Sequence, residues 1–280
     1  MKMQALVSTE WLGERLNEPD IRIADASWYL PQSGRDAKAE YAAAHIPGAV
    51  FFDIDDLSDE TSPYPHMLAP ALKFAGRMRA LGLGSGDRIV VYDGAGLFSS
   101  PRAWWMLKAM GHRDVFVLDG GLPKWWREGR KLESTPARPV PRDFVPHPDR
   151  AIVRDFAQMM ANLSSHAEQV VDARGAPRFT AVEPEPRAGL RGGHIPGSVN
   201  VPYAQLINAD GTLKSADALR ALFAQKRVDL SAPLVTSCGS GVTAALAMLA
   251  LQVTGARSVA LYDGSWAEWG ARADAPVETG

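Results

Sequence analysis

Cys238 is the sole cysteine of the sequence, and its surroundings bear on whether the thiol is buried filler or a nucleophile. The thiolate, not the thiol, is the reactive form, and it is favoured beside unpaired backbone donors and the positive end of a helix. Cys238 follows the apolar run Leu234-Val235-Thr236-Ser237 and precedes a helical stretch from Gly241 to Val253. The intervening Gly239-Ser240-Gly241 is small and flexible, which permits a tight loop with several N–H groups turned inward. Those donors would stabilise a thiolate, a terminal persulfide sulfur, or a transition state carrying negative charge. No metal or organic cofactor is needed for such chemistry. A lone cysteine is also a common small hydrophobe of protein cores, so on the loop alone both readings stand. Two further readings of the loop fail. A phosphatase loop needs an arginine six residues after the cysteine, where Ala244 stands, and a nucleotide-binding loop needs a Gly-Lys-Ser/Thr ending, which is absent.

The elements that must hold this loop can be read from a repeat. His45-Ile46-Pro47-Gly48 recurs as His194-Ile195-Pro196-Gly197, and Arg22-Ile23-Ala24-Asp25-Ala26 resembles Val170-Val171-Asp172-Ala173-Arg174. Asp119-Gly120-Gly121 with Trp125 is echoed by Asp263-Gly264-Ser265 with Trp269. Matches kept in order argue for two copies of one domain. In each copy two short apolar runs flank a helical stretch. They are Ile89–Tyr92 and Val115–Leu118 in the first, and Leu234–Ser237 and Val259–Tyr262 in the second. That spacing predicts βαβ units, hence an α/β fold with a mainly parallel sheet flanked by helices on both faces of each domain. Aligning the strands places Asp93 opposite Cys238. A carboxylate cannot carry sulfane sulfur, so the first half is expected to be catalytically silent.

Between the copies, Ser134 to Pro148 holds five prolines, which predicts an extended, semi-rigid connection. The expected organisation is a non-catalytic domain over 1–133, a linker over 134–150 and a catalytic domain over 151–280. Apolar residues make up 46% of the chain and charged residues 22%, enough for a core in each half. A net charge of -2 with no basic run speaks against nucleic acid as a partner. No apolar run approaches a membrane span, and the N-terminus does not read as a signal peptide. With one cysteine no internal disulfide forms, which suits the cytoplasm.

Taken together, Cys238-Gly239-Ser240-Gly241-Val242-Thr243, the paired His-Ile-Pro-Gly motifs and the paired Asp-Gly-Gly/Ser…Trp segments resemble the tandem-domain rhodanese superfamily. The likeness spans nearly the whole chain. It implies an enzyme, a sulfurtransferase with one silent and one active domain. The loop resembles that of the members using 3-mercaptopyruvate as sulfur donor, whereas thiosulfate-using members typically carry basic residues there. The implied reaction passes sulfur through a Cys238 persulfide to a small thiol, thioredoxin or cyanide and releases pyruvate. By the same likeness, Ser240, His66 and Asp55 form a proton relay, and Arg178 and Arg187 grip the substrate carboxylate. Gly239, Gly241, Val242 and Thr243 line the donor site. His45 and His194 occur in both halves, including the one without a nucleophile, so a structural role is expected of them. Trp125, Trp126, Trp266 and Trp269 read as packing residues. The rivals are a thiosulfate sulfurtransferase and a non-catalytic binding module.

Overall fold

The computed structural model describes residues 5–280. These fall into two compact units. The first comprises residues 5–58, 68–149 and 208–213, and the second comprises 59–67, 150–207 and 214–280.

In the first unit five strands form one parallel sheet: β1 (Leu6–Val7), β2 (Ile21–Asp25), β3 (Ala49–Phe51), β4 (Arg88–Tyr92) and β5 (Val115–Leu118). Their spatial order is β1-β5-β4-β2-β3. The helices are α1 (Thr9–Arg15), α2 (Ala37–Ala43), α3 (Ala71–Ala80), α4 (Ser100–Ala109) and α5 (Gly121–Arg127). Strand side chains alternate between faces. Val90 and Tyr92 of β4 pack with Ile23, Phe116, Leu12 of α1 and Trp125 of α5. Helix α4 packs against β4 and β5.

The second unit repeats this order in β6 (Val153–Arg154), β7 (Gln169–Asp172), β8 (Val199–Asn200), β9 (Leu234–Ser237) and β10 (Val259–Tyr262). All are parallel, in the order β6-β10-β9-β7-β8. Its helices are α6 (Phe156–Ser165), α7 (Ala176–Phe179), α8 (Ala216–Gln225), α9 (Val242–Thr254) and α10 (Ser265–Trp269). Val235, Ala260 and Tyr262 pack with Met159, Trp266 and Trp269. Helix α9 packs on β9 and β10 and is buried on nearly every side, as its run of Ala, Leu and Met requires.

Register makes the correspondence explicit. Asp25 pairs with Tyr92 across β2 and β4, and Asp172 pairs with Ser237 across β7 and β9. Asp93 and Cys238 are therefore the first residues beyond equivalent central strands. In open parallel sheets that carboxyl end of a central strand is where ligand chemistry usually sits.

The proline-rich segment carries no helix or strand over 134–149 and is tied down. Ser85 N donates to Asp143 O at 3.0 Å, Val145 N to Ser85 Oγ at 2.8 Å, and His147 N to Met110 O at 2.8 Å. Its residues up to Asp149 belong to the first unit. The paired histidines behave alike. His45 Nδ1 lies 2.7 Å from Tyr41 O, and His194 Nδ1 lies 2.9 Å from Phe179 O. Each also forms an isolated β-bridge, with Glu133 and Glu278 respectively. Both are buried anchors at loop-to-strand junctions. Trp125, Trp266 and Trp269 are buried, but Trp126 departs from the expectation of packing. It follows Trp125 directly on α5, points away from the sheet and is 69% exposed.

Candidate active site

Cys238 leaves the end of β9 only 2% exposed. Its backbone is fixed from α10. Cys238 N donates to Ser265 Oγ at 3.3 Å, and Ser265 Oγ donates to Tyr262 O at 2.9 Å. Trp266 N donates to Cys238 O at 2.9 Å, and Ala267 N donates to Gly239 O at 2.8 Å. The carbonyls of the loop are thus turned to the helix α10 side. Gly241, with φ +78°, makes the left-handed turn that starts α9 directly. Among the described residues, the amides from Gly239 to Thr243 donate to no protein acceptor. They are the unpaired donors of a loop and a helix N-terminus, where the dipole also favours negative charge.

The first unit displays what such donors hold when an anion is built in. The Asp93 carboxylate accepts from Ala95 N at 2.8 Å on one oxygen. On the other it accepts from Phe98 N at 2.9 Å, Ser99 N at 3.0 Å, Ser100 N at 2.8 Å and Ser100 Oγ at 2.7 Å. Residues 94–99 separate Asp93 from α4, whereas only 239–241 separate Cys238 from α9.

Ser240, buried beside Cys238, is met by two side chains of its own unit. His66 Nδ1 lies 3.0 Å from Ser240 Oγ, and Arg187 Nη2 donates to the same oxygen at 3.4 Å. His66 takes a left-handed backbone, φ +63°, a conformation that histidine adopts more readily than most side chains. A guanidinium only donates, so Ser240 Oγ accepts from Arg187, and it meets His66 Nδ1 with its own hydrogen or its second lone pair according to the histidine tautomer. Asp55 belongs to the first unit, where its carboxylate accepts from Trp28 Nε1 at 3.1 Å.

Arg178, carried by α7, lays its guanidinium against the loop. A Cβ at Gly239 would come within 3.0 Å of Arg178 Nη2, so a residue without a side chain is what admits the guanidinium there. Arg178 Nη2 and Nε donate to Glu185 at 2.5 and 3.3 Å. Arg174, fully buried, donates to both oxygens of Asp172 and, at 2.7 Å, to Glu185. Burial opposes the Arg174 charge, but Asp172 and Glu185 outweigh it and hold its pKa above the ordinary arginine value.

Sequence reasoning gave no role to Glu185, Arg174 or Ser265. Arg174 stands inside the repeated strand motif where the first half has Ser27, and Ser265 stands where it has Gly121. Those departures from the repeat were the available signal.

The sequence profile of the family described as Rhodanese-like domain matches residues 8–128 and 154–272. A human protein named 3-mercaptopyruvate sulfurtransferase is 48% identical over 276 residues, 96% of this chain and 93% of its own length. A rat protein, Rattus norvegicus, named thiosulfate sulfurtransferase is 46% identical over 283 residues, 99% of this chain and 94% of its own. A solved structure of a 3-mercaptopyruvate sulfotransferase from Escherichia coli superposes with a TM-score of 0.87. It has 42% identity and covers 94% of this chain and 99% of that one.

Proposed function

Since the chain belongs to the family of rhodanese-like domains and carries two of them, we propose that it is a sulfurtransferase taking sulfur from 3-mercaptopyruvate through a Cys238 persulfide. The observation that carries this reading is the loop at Cys238. It pairs a sulfur with amides that have no acceptor among the described residues, and it leaves Gly239 bare so that Arg178 lies over it.

In the first half-reaction the donor carboxylate pairs with Arg178 and Arg187, which brings its sulfur to Cys238. The Cys238 thiolate attacks that sulfur, the carbon–sulfur bond breaks, and the bonding pair stays on carbon as the enolate of pyruvate. The proton of the donor thiol passes by way of Ser240 and His66 to that carbon, so one pyruvate leaves and Cys238 carries one extra sulfur. We assign Asp55 to this relay on the family likeness. The amides from Gly239 to Thr243 hold the negative terminal sulfur. Gly241, Val242 and Thr243 supply loop geometry, not side-chain chemistry. In the second half-reaction an acceptor thiolate or cyanide attacks the outer sulfur and the Cys238 thiolate is regenerated, as in other reactions that pass through a covalent enzyme form. A small thiol or thioredoxin fits this step. A soluble enzyme of the cytoplasm fits the lone cysteine and a chain whose described residues hold no helix long and apolar enough to cross a membrane.

One observation favours a second donor. Relatives named for thiosulfate are nearly as similar as those named for mercaptopyruvate. Against it, Gly239 and Ser240 are themselves uncharged, so the cations at the loop, Arg178 and Arg187, come from outside it and suit a carboxylate. The test is a donor comparison on purified protein, with pyruvate, sulfide and sulfite followed. Mercaptopyruvate is expected to give pyruvate at far higher kcat/KM than thiosulfate gives sulfite. Cys238→Ser is expected to lose both, and turnover surviving in that variant would end the assignment.

A further inference from the structure

Four charged side chains run in a line from the sheet to the catalytic loop. Asp172 closes β7, next to Ser237 in the sheet register. Arg174 spends its Nε and Nη2 on Asp172, gives Nη2 also to Gly193 O at 2.8 Å, and gives Nη1 to Glu185. Its guanidinium lies 4.3 Å over the Trp266 ring, and Trp266 is the residue whose amide holds Cys238 O. Arg174 is therefore fixed on every side and is closed to a donor. Glu185, whose side chain is 2% exposed, takes Arg174 on Oε1 and Arg178 on both oxygens. Arg178 is the one member that reaches solvent, with 23% of its side chain exposed.

A guanidinium has two forks, one formed by Nε and Nη2 and the other by Nη1 and Nη2. Glu185 occupies the first. Among the described residues Nη1 of Arg178 meets no acceptor. We infer that Glu185 is a positioning residue for donor capture, turning Arg178 so that its Nη1–Nη2 fork faces the substrate carboxylate above Gly239. Helix α7 is a single turn. It cannot hold a long flexible side chain by itself, and the buried carboxylate does so instead. This rests on the carboxylate-donor reading above.

Glu185→Gln keeps the shape, but its amide can accept from only one guanidinium and turns an N–H toward the other. The expected result is a KM for mercaptopyruvate raised about tenfold, with kcat changed by less than about threefold. In an Arg178→Gln background the same Glu185 substitution is expected to change KM little, because the group it orients is gone. An unchanged or lowered KM in the single variant would overturn the inference, as would an equal rise in both backgrounds. If Glu185→Gln does not fold, Arg178→Lys carries the test. It keeps the pair with Glu185 but has no fork, so KM must rise by a similar factor, and an unaltered KM overturns the inference. Failure of wild-type protein to release pyruvate from mercaptopyruvate would instead remove the donor reading, before any variant is made.

Discussion

At the end of β4 the loop amides converge on a carboxylate that the chain supplies. At the end of β9 the same kind of loop holds a sulfur and leaves the amides from Gly239 to Thr243 without an acceptor among the described residues. Both loops join a central strand to a buried helix, and in both the residue after the key position is a glycine. Tyr29 Oη fills the space where a Gly94 Cβ would stand, and Arg178 Nη2 closely approaches Gly239. The difference is one of occupancy. One loop is an anion site filled by Asp93. The other is built to receive negative charge that arrives with substrate.

The buried aspartates beneath these loops differ in a parallel way. Asp172 is compensated by Arg174. Its counterpart Asp25 is met among the described residues by the Ser27 hydroxyl and amide and the Tyr92 hydroxyl, with no cation, and burial drives its pKa up to about 6.

The comparison can be broken most directly at Asp93. Asp93→Ala strands several buried donors and should cost about 3 kcal/mol or more in unfolding free energy, whereas Cys238→Ala, which strands none, should cost about 1–2 kcal/mol. Equal losses in urea unfolding would mean that the two loops do not differ in this way. Next is Asp25. A carboxyl whose folded pKa is raised favours the native state below its unfolded value near 3.8 and loses that contribution as pH climbs through about 6. Stability should therefore fall by roughly 3 kcal/mol across that window from this group, and Asp25→Asn should flatten the fall. A pH profile unchanged by the substitution would contradict the assignment. A smaller effect tests the open site. Arg187→Gln should lower kcat/KM for mercaptopyruvate by about 2 kcal/mol, with a lesser loss for thiosulfate. Equal losses would argue against carboxylate recognition. Smallest of all, Trp126→Ala should leave stability within about 0.5 kcal/mol, since its indole faces solvent.

The strands and the central helix of each half were legible because buried parallel strands are short apolar runs and α9 is apolar on all sides. The Cys238 loop was legible because glycine, serine and glycine between strand and helix leave few alternatives. Asp93 was found by register, which a repeat transmits faithfully. Glu185 was not, because it reaches Arg174 and Arg178 across an irregular loop that has no period to reveal which side chains meet. Ser265 stayed hidden for a related reason. Its left-handed backbone, φ +47°, is a position that usually calls for glycine, so the serine is meaningful only once its hydroxyl is seen on Cys238 N. The proline-rich segment carries no helix or strand over 134–149, as its prolines require, but prolines say nothing about which surface such a chain lies against.

The central claim is that sulfur arriving at the second loop stays on Cys238. The direct measurement is intact and peptide mass spectrometry after stoichiometric mercaptopyruvate with no acceptor present. The expected result is one added sulfur atom per chain on the peptide containing Cys238, matched by one pyruvate released and removed by a later acceptor thiol. Pyruvate released in full while Cys238 keeps its unmodified mass would contradict it.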